Sequence, residues 1–185
     1  MLRGLAVLIG LFGSVGLSQP LTPQQLTEAI AIGRQCQAPI IREPSARGDF
    51  EVYIESPFAR AALVAATARV MGQPLDAPGV KKAMQGGYRI WFARTPMSPS
   101  PVTVTRMWVR SPAGEIVPVA RRDERLFLGT VPSHGIIEPL RARFPEYVFD
   151  QLPSGPFVVV AATNRGVERF RVTPNNRSAL LRVCN

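Results

Sequence analysis

Residues 49–55 alternate strictly, with Phe50, Val52 and Ile54 on one side and Asp49, Glu51, Tyr53 and Glu55 on the other. A period of two is the signature of a half-buried strand, here one with an acidic outer face. A different pattern follows at once. Ser56 can cap a helix, Pro57 suits its first position, and Gly72 with Pro74 beyond it ends the run. Between Phe58 and Met71 only Arg60, Thr67 and Arg69 are polar, so this helix is expected to be buried, its alanines allowing close approach to a sheet. Upstream, Thr22, Pro23 and Gln25 spell a capping box, and Leu21 and Leu26 occupy the staple positions. Leu26, Ala29, Ile30 and Gly33 form one apolar stripe, which predicts an amphipathic helix ending near Gly33–Arg34 and delivering Cys36 to a fixed place.

From Tyr88 onward the pattern is β. Strand signals occur at 88–94, 102–110, 115–120, 125–131, 156–163, 167–172 and 179–184. The turn chemistry of Ser111–Gly114 and of Asn164–Gly166 joins neighbouring strands as hairpins. Residues 73–87 read as loop with one helical turn near Val80–Met84, and the proline-rich stretches 95–101 and 132–155 read as loops, the latter with a short helix near 137–143. The fold class expected is α+β: a mainly antiparallel β-sheet or sandwich, with an N-terminal amphipathic helix and one buried helix packed on the sheet.

The first twenty residues follow a different logic. Arg3 precedes an apolar run from Leu5 to Leu17, then small residues at Ser14, Gly16 and Ser18 precede Pro20. That order is what the secretion machinery and signal peptidase read, and the run is too short to span a bilayer, which takes about 20 residues. The expected organisation is a signal peptide over 1–18, cleaved after Ser18 or alternatively Gly16, and a single α+β domain over 19–185. Residues 19–87 form its helix-rich part and 88–185 its β-rich part. No transmembrane anchor is expected after cleavage. The two cysteines, Cys36 and Cys184, then belong to an oxidising compartment and are expected to form one disulfide.

Charge sharpens the picture. The net charge is +9, and only Lys81 and Lys82 among the 22 basic residues are lysines. Richness in arginine, alanine and proline is also what a GC-rich genome produces, which points to a bacterial source. Residues 57–122 hold ten Arg or Lys against Asp76 and Glu115. Within them, alternation places Arg89 and Trp91 on one face of their strand, and Arg106, Trp108 and Arg110 on one face of the next. If those strands pair, both tryptophans share an arginine-bearing side. Guanidinium over indole is favourable, and such a surface suits an anionic or sugar-bearing partner. The competing arrangement covers these faces with the first helix or the acidic strand, leaving internal Arg–Trp and Arg–Glu packing.

Other chemistry finds little foothold. His134, the only histidine, lies in Pro132-Ser-His-Gly135, and a triad could be drawn with Ser133 and Glu138 or Asp150. Adjacent residues seldom form a nucleophile–base pair, and no G-x-S-x-G elbow is present. One histidine and two distant cysteines do not make a zinc set, and the acidic strand lacks calcium-loop spacing, so its carboxylates are expected to pair with arginines on a neighbouring strand. There is no phosphate-binding glycine loop, so no nucleotide or other cofactor is expected, and export argues against nucleic acid. The reading is therefore an exported protein, periplasmic or secreted: a non-enzymatic binding or structural module contacting an anionic envelope polymer, lipid head group or acidic protein. The alternative is a small secreted hydrolase using Ser133 and His134. On this reading the exported form begins near Gln19, and its intact mass or N-terminal sequence will lack Met1–Ser18. Retention of Met1–Leu17 in exported protein would contradict the signal.

Overall fold

The computed structural model describes residues 21–48, 50–94, 102–122 and 145–184. The signal-peptide segment, the strand expected at 125–131, the short helix near 137–143 and the Ser133/His134/Glu138 group lie outside these residues. The described chain is α+β, with four helices and three sheets, none of them closed. Every strand pairing in them is antiparallel.

Local signals account for the helices. Helix α1, Pro23–Arg34, starts at Thr22, whose hydroxyl accepts from the Gln25 amide while the Gln25 side chain accepts from the Thr22 amide. Helix α2, Pro57–Val70, is capped by the Ser56 hydroxyl accepting from the Ala59 amide. Each cap satisfies a backbone N–H that the first helical turn leaves without an intrahelical partner. Helix α3, Ala77–Met84, is longer than the single turn expected there, because Pro78 suits its start and Val80 and Met84 pack inward. A short helix, α4, covers Pro174–Ser178.

Two sheets share one core. The five-stranded sheet has the order β2-β3-β4-β8-β7, formed by Ile41–Pro44, Phe50–Glu55, Tyr88–Arg94, Glu146–Phe149 and Ala120–Arg122. The four-stranded sheet has the order β10-β9-β5-β6, formed by Gly166–Val172, Phe157–Thr163, Val104–Ser111 and Gly114–Ile116. Phe50, Val52, Ile54, Ile90, Phe92 and Phe149 from the first meet Met107, Val109, Val159, Phe170 and Val172 from the second. Both expected hairpins form, as β5–β6 and β9–β10. Strand β8 arises within the segment read as a proline-rich loop: Glu146, Tyr147 and Phe149 are buried, but four residues are too few for alternation to stand out.

The helices form a second cluster, centred on Ala29, Ala59, Ala61, Ala62 and Val80, which meets the outer side of β3 at Tyr53. Its close packing depends on small side chains: a Cβ built on Gly33 would lie 2.1 Å from the Ala62 carbonyl oxygen and 2.8 Å from the Ala65 Cβ. Arg60, a polar interruption in the sequence pattern, is buried. Its guanidinium donates to the carbonyls of Ala83, Gly87, Gln85 and Gly86 at 2.7–3.2 Å, stapling the end of α3 and the entry to β4 onto α2.

The Cys36–Cys184 disulfide ties the end of α1 to the chain's last strand region, with Cα atoms 5.1 Å apart. Beside it, β1 (Gln37–Ala38) pairs with β11 (Leu181–Arg182). Among the described residues no helix is long and apolar enough to cross a membrane. The Gly33 contact sets a direct test. Gly33→Ala forces α1 and α2 apart and is expected to destabilise the fold by about 1–3 kcal/mol, the range for overpacking a close interface. Urea denaturation measures this; an unchanged midpoint would mean that the helices do not meet at Gly33.

Candidate binding face

Strands β4 and β5 belong to different sheets, so the pairing on which a composite Arg–Trp surface depends does not occur. Their inward residues, Ile90 and Phe92 on β4 and Met107 and Val109 on β5, line the common core. Arg89 and Trp91 therefore lie on the outer side of one sheet, and Arg106, Trp108 and Arg110 on the outer side of the other. The two halves have opposite fates.

The β4 half is consumed internally. Trp91 is only 3% exposed, and its Nε1 donates to Glu55 Oε1 at 2.9 Å. Its ring stacks on Tyr53, the cross-strand neighbour, with centroids 4.2 Å apart and planes 8° from parallel. Arg89 and Arg122 both approach Glu146 Oε1 at 3.7 Å, and Glu55 and Glu146 are themselves buried. Arg42 of β2 extends the row, forking onto Glu51 at 2.8 and 2.6 Å. The Tyr53 hydroxyl donates to the same carboxylate at 2.6 Å. Burial pushes the Glu51 carboxyl up, but the bonds from Arg42 and Tyr53 outweigh it and hold it below the ordinary range. Burial, with the bond to that carboxylate, pushes the Tyr53 phenol up. The arginine partners expected for the acidic strand are thus met by Arg42 for Glu51, whereas Glu55 is bonded to Trp91.

The β5 half remains on the surface. Arg106 and Arg110 are exposed and Trp108 is half-buried between them. The Arg106 guanidinium carbon stands 5.3 Å from the Trp108 ring centroid. Arg110 pairs with Glu115 of β6 at 2.6 Å, an exposed bridge that contributes little to stability. Among the described residues, Trp108 Nε1 is buried and has no hydrogen-bond partner.

Strand order adds two residues that alternation within β5 does not reveal. Across β9, Trp108 is in register with Val160 and then Arg169, and Arg110 is in register with Val158 and then Arg171. Arg169 and Arg171 are exposed, while Phe170 and Val172 between and beside them point into the core. Their own strand carries the signal, an arginine at each second position, but only the sheet order places them beside Trp108. Among the described residues, four arginines and one glutamate, a net of three positive charges, stand around Trp108, the half-buried Val158 and the buried Val160. The helices make their main contacts with β1, β2 and β3, none of which lies in this sheet.

Among the described residues no group of three or more His, Cys, Asp or Glu could hold a metal ion. Asp150, the one described member of the triad drawn from sequence, is exposed at the end of β8. Compared with protein-family models, curated proteins and solved structures, the chain matches none.

The two halves should respond differently to mutation. Trp91→Phe removes a donor from the buried Glu55 carboxylate and is expected to cost about 1–3 kcal/mol. Arg106→Gln and Arg169→Gln, on the exposed face, are each expected to shift stability by less than about 0.5 kcal/mol. Chemical denaturation of the three variants checks the order, and the reverse order would assign the faces wrongly.

Proposed function

We propose that the protein is an exported, non-enzymatic binding module, extracytoplasmic and made with a cleavable signal peptide, whose working surface is the outer face of the four-stranded sheet. Read as a sandwich, two sheets around one core leave each sheet one outer side. One of these is filled by its own Arg–Glu and Trp–Glu partners; the other carries Arg106, Arg110, Arg169 and Arg171 around Trp108. The observation that carries the reading is this second face. Among the described residues its arginines have one carboxylate partner between them, Glu115. Charge clustered without internal compensation raises the local concentration of anionic partners and speeds their encounter. Planar guanidinium forks also match carboxylate and phosphate geometry in two parallel bonds, which ammonium groups do not.

The export component draws on the N-terminal sequence pattern and on the Cys36–Cys184 disulfide, a bond typical of oxidising compartments. An anionic envelope component is the partner class that such a compartment supplies. The test is retention of the purified mature protein on a sulfated-dextran matrix under a salt gradient. Wild type is expected to bind at low salt and to elute at a defined ionic strength, because screening weakens exposed charges. The variant carrying Arg106→Gln, Arg169→Gln and Arg171→Gln is expected to elute much earlier with an unchanged melting temperature. Co-elution of the variant with wild type would remove this face as the anion-binding surface.

A further inference from the structure

We propose that the occupant of this face is an extended anionic polysaccharide, with a sugar ring over Trp108 and its acidic groups on the four arginines. The inference rests on the reading of the face as an anion-binding surface and deepens it. Three features of the face select the ligand.

The first is spacing. Along β5, Arg106, Trp108 and Arg110 occupy alternate positions, about 7 Å apart on an antiparallel strand. Arg169 and Arg171 sit two strands away from Trp108 and Arg110, about 10 Å across the sheet. These positions spread over a sheet face and do not converge in a cleft. A single small anion engages one or two of the forks, whereas a chain with repeating acidic groups can engage all four.

The second is the central ring. Among the described residues, Trp108 is the one aromatic on this face, flanked by arginines along its own strand. Single-stranded nucleic acid is typically held by several rings on which successive bases stack, and this face offers one. A sugar ring needs only one platform, and its C–H face packs on the indole while its acidic groups reach outward. Arg106 covers that ring in the free protein, and an exposed cation–π contact is weak enough for a ligand to displace it.

The third is the indole N–H. A buried donor without an acceptor is destabilising, and among the described residues Trp108 Nε1 has none. A glycan carries hydroxyl and ring oxygens next to its stacking face, so a chain that parts the side chains over Trp108 can supply the missing acceptor. A polyanion without such oxygens beside a ring supplies charge alone.

The experiment titrates the mature protein with three probes of matched charge: oligogalacturonates of increasing length, poly-L-glutamate and oligothymidylate. Oligogalacturonate affinity is expected to rise with length and then level off once the chain spans the face. Poly-L-glutamate is expected to bind about tenfold more weakly, for want of the stacked ring. Trp108→Leu should lower oligogalacturonate affinity by about tenfold and leave poly-L-glutamate binding unchanged. Trp108→Phe, which keeps a ring and is the gentler change if the leucine variant does not fold, should retain most of the affinity. In a Trp91→Phe background the fluorescence of Trp108 should change on adding oligogalacturonate and not on adding poly-L-glutamate. Equal binding of poly-L-glutamate and oligogalacturonate, with no effect of Trp108→Leu, would overturn the polysaccharide assignment and leave the anion-binding reading standing. Tighter binding of oligothymidylate would replace it with a nucleic-acid ligand. Binding to none of the three would remove both readings.

Discussion

The structure depends on one constraint: two sheets bury their inner faces against each other, and a strand has only two faces. Phe50, Phe92, Phe149, Met107 and Phe170 belong to five different strands and meet in one apolar core. Burying side chains of this size stabilises by roughly 1.5–3 kcal/mol each, so any register slip by one residue would exchange core for surface along a whole strand. Every other position is thereby committed to the outside, and the chemistry of the molecule is whatever those positions carry. Arg106, Trp108 and Arg110 are outward because Met107 and Val109 are inward.

The outer side of the five-stranded sheet shows how a protein closes such a face. Helices whose contact surface is almost all alanine approach closely, and β3 presents Tyr53 to them while Trp91 stacks alongside. Taking Glu55 and Glu146 out of water would be costly alone, and their bonds to Trp91, Arg89 and Arg122 offset that cost. Arg60 solves the complementary problem, a buried cation whose guanidinium donates to four backbone carbonyls. These residues are charged, yet they hold the fold together. Net charge alone therefore overstates what is available for binding.

The outer side of the four-stranded sheet is built from the same residue types with a different outcome. Among the described residues its arginines outnumber its one glutamate, its tryptophan keeps a donor without a partner, and its central valines lie between long side chains whose stems shelter them. Half of its cations come from the β9–β10 hairpin and not from the strongly basic stretch at 57–122. The basic stretch is dispersed by the fold: Arg60 is buried, and Arg89 and Arg122 converge on Glu146.

What the sequence by itself determined was local. The alternation of 50–55, the caps at Thr22 and Ser56, the hairpin turns at 111–114 and 164–166, and the inward or outward sense of Arg89–Phe92 and Arg106–Arg110 follow from neighbours a few positions away, whereas a bulge between Val104 and Arg106 breaks the alternation and leaves Thr105 exposed. The pleat and the helical turn have fixed periods, and a capping bond spans three residues, so short windows contain all the information needed. What only the tertiary structure decided was membership. Whether β4 pairs with β5, whether Trp91 is covered while Trp108 stays half-open, and whether Arg169 stands beside a tryptophan are settled by strand order, which depends on contacts between residues far apart in the chain. Both tryptophans alternate with arginine on one strand face, Trp91 with Arg89 and Trp108 with Arg106 and Arg110, and that pattern did not tell which would be covered. They differ because one strand was recruited into a sheet whose outer side meets helices and acidic neighbours, and the other into a sheet whose outer side the arginines keep.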